Sequence, residues 1–474
     1  MDNYIRRVLI EDLFELNNNY KIDLSDGCNC IYGGNGTGKT TIINLIVNSI
    51  SADVDAISKA AFGSISIRLA KCGQKRARKF FTLTKENISN NSHHNLIKLT
   101  YDFEDLDESF VININSRDSF DLTSERNSEV INKIKDILHD NINLTHVPLL
   151  RLHDSDLYSR NDPDDFLQHA LRSRNVSKRQ ITELLDPSVR VLTSLQHQFV
   201  EQANENRKNI TNKLESLKSK IIEKVMIDNK LATQASKAFS KVSRAMLTQA
   251  EDVNVNAYVE KLKGASINVP EDKIFEHFNS WKLLNDNVKR DYNNFMNIDK
   301  KEDEKSELTK EQKSKLNNKF NDSYFALFAM THFHDRFLSI VNDVENMQEQ
   351  KEELTKSFRD YEIEVNKYFN NKKTFKLNED GRFNVCSGKR KILLAELSSG
   401  EKHILTILGR AALSSEEGTI FVADEPELSL HLDWQRIILP SIIKLSPKSQ
   451  VIVATHSPSI YAEGATEIDL EECM

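Results

Sequence analysis

The chain has 474 residues, enough for two or three domains of average size, and 39% of them are hydrophobic. Its net charge of −7 argues against a wholly basic nucleic-acid-binding surface. The sequence contains no run of about 18 apolar residues, so no membrane span is predicted. The five cysteines follow neither a disulfide framework nor a zinc spacing, so we expect a cytoplasmic protein. Cys28 and Cys30 share one face of a predicted strand, where buried packing is expected.

The first predicted elements lead into a glycine-rich loop. Residues 6–14 and 20–24 predict a strand pair, and residues 28–32 predict a short buried strand. Residues 40–49 have the apolar spacing of a helix. Between this strand and this helix, residues 33–40 read GGNGTGKT and fit the phosphate-binding pattern GxxxxGK[ST].

The chemistry of that loop predicts a nucleoside triphosphate site. Glycines let backbone N–H groups turn towards phosphate oxygens, and the following helix N-terminus adds free donors. We expect Lys39 to reach the β- and γ-phosphates and the Thr40 hydroxyl to bind Mg²⁺. The expected ATP-binding set in this part of the chain is Gly33, Asn35, Gly36, Gly38, Lys39, Thr40 and Thr41.

Two basic stretches have two interpretations each. Residues 71–79 lie between strands predicted at 64–69 and 79–84, and could follow a nucleic-acid backbone or form an exposed hairpin tip. No aromatic residues are interleaved, which favours the tip. The same choice applies to Arg172, Arg174, Lys178 and Arg179. A further strand is predicted at 143–152, ending in Pro148, Leu149, Leu150 and Arg151.

Residues 188–370 form a predicted helical insertion between an N-terminal lobe at 1–187 and a C-terminal lobe at 371–474. Two segments have the apolar spacing of coiled-coil seams: Ile210, Leu214, Leu217 and Ile221, then Leu354, Phe358, Tyr361, Val365 and Tyr368. The charged run at 299–305 is interpreted as a solvated helical segment or turn, with a partner-binding arm tip as the alternative.

Strands return at the C-terminal end. A hairpin is predicted at 375–385 and a short strand at 392–394, followed by a helix at 403–413. Buried strands are predicted at 419–423 and 450–454. The first of these runs into Asp424 and Glu425. Asp424 is expected to bind Mg²⁺, directly or through water, and Glu425 to activate the attacking water.

The sequences LSSGE at 397–401, DEPELSLH at 424–431 and THS at 455–457 resemble the ABC-type ATPases. More narrowly, they resemble the branch containing SMC, RecF and OLD-family proteins. The resemblance covers both ends of the chain and implies an α/β P-loop head in which two heads enclose two ATP molecules. It implies that Ser398, Ser399 and Gly400 contact the γ-phosphate on the opposite head and that His456 is the switch histidine.

The sequence also departs from this family pattern. Ser399 stands where the family more often has glycine, Glu401 where it often has glutamine, and His431 where many transport ATPases have aspartate. No segment of the sequence clearly matches the glutamine loop that ABC-type ATPases usually have. Arg151 resembles an arginine near the nucleotide in OLD-like ATPases, but it is equally well interpreted as a surface cation.

The resemblance leads to a functional hypothesis. The chain ends 18 residues after His456, so we expect no TOPRIM nuclease domain of the OLD type. It most resembles the AriA-type ATPase subunits of PARIS antiphage systems. These imply a homodimer or higher homo-oligomer, a separate TOPRIM effector nuclease and a phage trigger protein. An HNH nuclease partner, as in Septu systems, is the alternative effector.

Two other functions stay open from the sequence. A RecF- or SMC-type ATPase would bind or clamp DNA, and a solitary ATPase would act as a structural switch without a nuclease. The acidic net charge and the short predicted arm weigh against DNA clamping.

Overall fold

The computed structural model describes residues 3–34, 36–74, 76–89, 95–104, 106, 109–115, 125–147, 186–225, 254–264, 270–301, 310–369, 372–414 and 418–474. The chain divides into two compact units. The first comprises Met1–Ala203 and Lys356–Met474, and the second comprises Asn204–Thr355. The first unit therefore combines the two ends of the chain.

A parallel five-stranded sheet lies at the centre of the first unit, in the order β14-β3-β13-β12-β8. Its strands are β3 (Cys28–Tyr32), β8 (Asn143–Val147), β12 (Thr419–Asp424), β13 (Gln450–Thr455) and β14 (Thr466–Asp469). All four pairings within this sheet are parallel. The carboxyl ends of these strands therefore lie at one edge.

The parallel sheet is covered on both faces, which explains its continuous apolar runs. Ile420 and Val422 of β12 belong to one buried cluster, whereas Phe421 and Ala423 belong to another. Cys28 and Cys30 lie in the second cluster as free, buried thiols, which confirms their predicted packing role.

An antiparallel six-stranded sheet adjoins this core, in the order β2-β1-β4-β5-β6-β7. Its strands are β1 (Asn3–Glu11), β2 (Tyr20–Asp23), β4 (Ser64–Lys71), β5 (Arg78–Ser89), β6 (Asn95–Phe103) and β7 (Ser109–Asn115). The predicted strand pair at the N-terminus is confirmed. The described residues of the basic stretch, 71–74 and 76–79, extend from the end of β4 to the start of β5, which pair as a hairpin, as the hairpin-tip interpretation requires.

The buried side chain of Gln450 joins the two sheets. Its Oε1 accepts from the backbone N–H of Ile5 at 2.9 Å, and its Nε2 donates to the carbonyls of Ile5 at 2.8 Å and Ser25 at 2.7 Å. An amide with one acceptor and two donor hydrogens can make all three bonds. The N-terminal strand is thus fixed to a strand near the C-terminus.

The helices of the first unit cover these sheets. Helices α1 (Lys39–Ser51), α2 (Val54–Lys59) and α3 (Glu125–Asn141) come from the N-terminal part. Helices α8 (Ser399–Leu413) and α9 (Leu432–Leu445) come from the C-terminal part. A small antiparallel sheet of β9 (Thr374–Leu377), β10 (Phe383–Ser387) and β11 (Arg390–Ile392) precedes α8.

The second unit is helical. Helix α4 (Pro187–Val225) runs from the first unit into the second, and α7 (Lys310–Asn366) runs back. Between them lie α5 (Val255–Gly264) and α6 (Glu271–Lys301). Leu217 packs in a buried cluster with residues of α5, α6 and α7. Side chains of all four helices therefore meet in one core.

The second predicted seam has a different environment from the one expected. Tyr361, Val365 and Tyr368 are buried in the first unit, in the cluster that contains Phe199 and Phe421. The Tyr361 ring stacks on Phe199, with ring centres 5.0 Å apart. Because apolar spacing of three and four suits any buried helix face, the pattern could not identify the surface against which this segment packs.

Several predictions lie outside the described residues. These are the end of the strand predicted at 143–152 with Arg151, most of the charged run at 299–305, and the basic residues Arg172, Arg174, Lys178 and Arg179. Within the described part of the chain, no helix combines the length and apolar content needed to cross a bilayer.

Candidate nucleotide site

Three strand ends place the predicted nucleotide residues at one edge of the parallel sheet. Strand β3 leads into the glycine-rich loop, β12 ends at Asp424, and β13 leads to His456. Strand β13 lies between the other two. Residues almost 400 positions apart thus meet at the edge where ligands bind in open α/β sheets.

The glycine-rich loop has the backbone conformation that its sequence predicts. Gly36 and Gly38 have φ values of 85° and 88°, which residues with a Cβ rarely adopt. Helix α1 begins after Gly38 with no side-chain cap, which leaves N–H groups of its first turn available for an anion. Thr41 lies in the same first turn, whereas Asn35 lies outside the described residues.

The Lys39 ammonium lies within this loop. Lys39 is 5% exposed, and its Nζ donates to the carbonyls of Gly33 at 2.8 Å and Gly34 at 2.7 Å. Neither partner is an anion, so the positive charge of this buried cation is not neutralised by them. A phosphate group would supply that missing negative charge.

Phe14 is a site residue that the sequence analysis missed. It lies between β1 and β2 with a φ of 65°, and half of its surface is exposed. A Cβ added at Gly38 would lie 2.9 Å from its Cε2 atom, so the ring lies directly against the loop. In the sequence, Phe14 is a lone aromatic residue in a turn and belongs to no motif, so its position in the site could not be predicted.

Asp424 and Thr40 are the candidate Mg²⁺ ligands. Asp424 is 3% exposed, and neither of its carboxylate oxygens makes a hydrogen bond of good geometry. Its pKa is raised to about 6, mainly by burial; the Glu425 and Glu427 carboxylates also raise it, whereas the nearby Thr40 hydroxyl and the Lys39 ammonium lower it. A buried carboxylate with few partners among the described residues, beside a hydroxyl, is a fitting oxygen donor set for Mg²⁺.

Glu425 and His456 lie together beside this carboxylate. Glu425 has a φ of 45°, and its N–H donates to the carbonyl of Ala454 at 2.8 Å. This left-handed turn is uncommon for a residue other than glycine. The Nδ1 atom of His456 lies 3.3 Å from Glu425 Oε1. The structure thus brings together the residues predicted as water-activating base and switch histidine.

Glu427 is the second residue that the sequence analysis missed. It is 3% exposed, and its Oε1 accepts from the Thr455 hydroxyl and from the backbone N–H of His456. The Nδ1 atom of His456 lies 3.5 Å from the same oxygen. Glu427 belongs to the sequence DEPELSLH, but its position two residues after Glu425 does not indicate that it contacts Thr455 and His456.

The residues 398–401 form the start of α8. Ser398 caps this helix by accepting from the Glu401 N–H at 3.3 Å, and Glu401 accepts in return from the Ser398 N–H at 2.8 Å. Lys373 also pairs with Glu401, at 2.7 Å. Ser398 and Ser399 are exposed, so their hydroxyl groups can reach a second molecule.

Gly400 and His403 attach this helix to the loop after β12. A Cβ on Gly400 would lie 3.1 Å from the carbonyl oxygen of Ser429, which has a left-handed φ of 64°. His403 is buried, and its Nε2 lies 2.9 Å from the carbonyl oxygen of Pro426. His431 begins α9 as its cap and is largely exposed.

Family models of known domains match both parts of the chain. Residues 7–226 match a model described as "AAA domain". Residues 257–462 match a model described as "AAA domain, putative AbiEii toxin, Type IV TA system". The first range contains the glycine-rich loop, and the second contains Ser398, Asp424 and His456.

Individual relatives share little sequence with this chain. The "Retron Ec83 probable ATPase" of Escherichia coli is 38% identical over 76 residues, and this match covers 14% of each chain. The Smc head domain of Pyrococcus furiosus, solved with an extended coiled coil, is 14% identical with a TM-score of 0.35, covering 97% of this chain and 91% of that one. The Smc head of Pyrococcus yayanosii gives 13% and 0.33, with 97% and 93% covered.

The parallel sheet, the glycine-rich loop and the strand-end carboxylates form an α/β P-loop head, and the two AAA-domain matches support an ATPase of this class. This nucleotide-binding class was predicted from the sequence and is confirmed. The separate roles of Lys39, Thr40, Asp424, Glu425, Ser398 and His456 stay predictions.

Proposed function

We propose that this protein binds and hydrolyses ATP with Mg²⁺. The buried charges at one sheet edge carry this proposal: among the described residues, the Lys39 ammonium donates to two carbonyl oxygens, and the Asp424 carboxylate has no well-formed hydrogen bond. Triphosphate oxygens would neutralise the first, and Mg²⁺ would be held by Asp424 and Thr40. Bound Mg²⁺ would supply charge stabilisation for phosphoryl transfer.

The protein's own residues would perform the remaining steps. Backbone N–H groups of the loop and of α1 would hold the phosphates, with the Phe14 ring packed against Gly38 of this loop. Glu425 would accept a proton from the attacking water. His456 would sense the γ-phosphate from the end of β13, and Ser398, Ser399 and Gly400 would contact the nucleotide of a second copy.

We further propose that ATP turnover regulates a separately encoded effector nuclease in a bacterial antiphage defence system. The short match to a retron ATPase and the AbiEii description of the second family model support a defence role. In the more specific form, the protein is the AriA-type subunit of a PARIS system. Its effector would then be a TOPRIM nuclease that a phage protein releases.

The test combines enzymology with a search for the effector. Purified protein should release phosphate from ATP with Mg²⁺ and lose this activity in EDTA. Coexpressed with the genes beside its own, it should copurify with a nuclease and protect cells from phage, whereas Lys39→Ala should abolish protection. Absence of ATP hydrolysis by the folded protein would refute the ATPase proposal. Salt-sensitive DNA binding without any protein partner would refute the effector proposal and favour DNA clamping.

A further inference from the structure

We infer that Glu427 is a positioning residue, which fixes His456 beside Glu425 and thereby sets the rate of hydrolysis. The inference rests on the proposed ATPase function and adds a residue to its site. Glu427 lies two positions after the proposed base, on the loop that begins at the end of β12. Its contacts go to residues at the end of the neighbouring strand, β13.

The first observation is how this carboxylate is buried. Burying an ionised carboxylate is costly unless hydrogen bonds compensate it. Oε1 receives the Thr455 hydroxyl and the His456 N–H, but Oε2 is buried without any hydrogen-bond partner among the described residues. Retaining a half-satisfied carboxylate costs stability, and such groups point to function when they lie beside a reactive site.

The second observation is the orientation of the imidazole. The Nδ1 atom of His456 faces two carboxylate oxygens, Glu425 Oε1 at 3.3 Å and Glu427 Oε1 at 3.5 Å. Ionised carboxylates only accept hydrogen bonds, so this contact favours a proton on Nδ1. The ring then presents Nε2 to the nucleotide. One oxygen atom of Glu427 thus binds the backbone N–H of His456 and lies against its ring.

The third observation is a chain of hydrogen bonds that continues from Thr455. The Ser457 N–H donates to the Thr455 hydroxyl at 3.0 Å, and the Ser457 hydroxyl donates to Gln435 Oε1 at 3.1 Å. Gln435 Nε2 donates to the carbonyl of Leu430 at 3.1 Å. Glu427 thus lies at the start of a network that joins the His456 segment to the loop that precedes α9.

The experiment measures kcat and KM for ATP in Glu427→Gln. The amide keeps the shape and one acceptor oxygen but removes the charge facing His456. We expect kcat to fall about 10- to 100-fold, the range typical for groups that orient a reactive residue, with KM changed less than about twofold. Thr455→Val removes one bond to the same oxygen and should lower kcat in the same direction, by less.

A matched control comes from another buried carboxylate. Glu364 is 0% exposed and bonds to Lys367, Ser441 and Lys444, within the first unit but on α7. Glu364→Gln should lower the melting temperature without lowering kcat. Glu427→Gln should lower kcat beyond any such change.

Failure of the positioning role of Glu427 and failure of the proposed ATPase function give different results in these measurements. A wild-type protein without ATP hydrolysis overturns the proposed function itself. With an active wild type, a folded Glu427→Gln protein of unchanged kcat overturns the positioning role, as does a rise in KM alone. If Glu427→Gln does not fold, Thr455→Val decides: an unchanged kcat overturns the inference, and a reduced kcat at unchanged KM supports it.

Discussion

At the scale of single residues, the site is a set of buried charges with few hydrogen-bond partners among the described residues. Within that part of the chain, the Lys39 ammonium donates to two carbonyls, Asp424 has no well-formed hydrogen bond, and one of the two Glu427 carboxylate oxygens has no partner. Each of these groups costs stability in the absence of ligand. The nucleotide and Mg²⁺ would neutralise the first two, so ligand binding should stabilise the fold substantially.

Removing the Lys39 ammonium should remove most of the affinity for ATP. Lys39→Ala deletes the buried cation that faces the phosphates, and charge-assisted contacts of this kind contribute about 1.5–3 kcal/mol each. Isothermal titration with ATP and Mg²⁺ should show affinity reduced at least about tenfold. Lys59→Ala, on the surface of α2, is the control and should bind normally. Unchanged affinity in Lys39→Ala would refute its role.

Asp424 should make the ligand-free protein less stable at high pH. Because burial raises its folded pKa to about 6 from 3.8, the folded state binds more protons than the unfolded state between these values. Stability therefore falls as pH rises from about 4 to 6, by on the order of 3 kcal/mol, and then levels. Urea unfolding without nucleotide or Mg²⁺ should show Asp424→Asn to be more stable than wild type at pH 8.

That gain should disappear below about pH 3, where Asp424 is protonated in both folded and unfolded wild-type chains. If Asp424→Asn is no more stable than wild type at pH 8, the burial cost assigned to this carboxylate is wrong. The same variant should lose Mg²⁺-dependent ATP hydrolysis, because a neutral amide is a weaker Mg²⁺ ligand than a carboxylate.

At the scale of elements, helix α8 contacts both segments that lead to the second unit, the start of α4 and the end of α7. Tyr361 of α7 donates its hydroxyl hydrogen to the carbonyl of Leu405 at 2.8 Å. Asp186, just before α4, pairs with Lys402 at 2.7 Å. These contacts attach α8, which begins with the Ser398 motif, to both helices that lead to the second unit.

Gly409 permits this close packing. A Cβ at this position would lie 2.6 Å from Leu195 Cδ2 and 3.1 Å from the Tyr361 hydroxyl oxygen. Gly409→Ala should therefore destabilise the protein by about 1–3 kcal/mol through overpacking, despite the better helix propensity of alanine. Gly27→Ala, where nothing lies within 4 Å of an added Cβ, is the control in urea unfolding. Equal stabilities would contradict this view of the α8 contact.

The positions of helices and strands could be predicted from the sequence better than the segments against which they pack. The strand ending at Asp424 and the helix after Gly38 could be predicted because a continuous apolar run and a 3.6-residue period are local signals. The meeting of Lys39 with Asp424 needs β13 between β3 and β12, which no local pattern specifies. The contacts of Phe14 and Glu427, and the burial of Tyr361 in the head, also depend on distant segments.

At the scale of the whole molecule, the exposed Ser398 and Ser399 and the proposed ATP site favour a two-headed assembly. Glu425→Gln should bind ATP but hydrolyse it at least about 100-fold more slowly, because the proton acceptor is lost. Closed dimers should then accumulate with ATP and Mg²⁺ and appear as a doubled mass in light scattering.

The double variant Lys39→Ala, Glu425→Gln is the control for this dimer, and it should keep the mass that it has without nucleotide. Normal turnover in Glu425→Gln would refute the role of Glu425 as the base. Slow turnover without a change of mass would support that role but refute nucleotide-dependent pairing of two heads.

The contacts of Gln450 have a consequence for synthesis on the ribosome. Its bonds to Ile5 join positions 445 residues apart, and among the described strands β3 pairs with β13 and β14, both from the C-terminal region. Until those strands emerge, β3 has two unpaired edges and the loop after it lacks its support. Contacts of such long range form late. A nascent chain should therefore acquire a nucleotide site only after β13 and β14 have been synthesised, more than 400 residues after the glycine-rich loop.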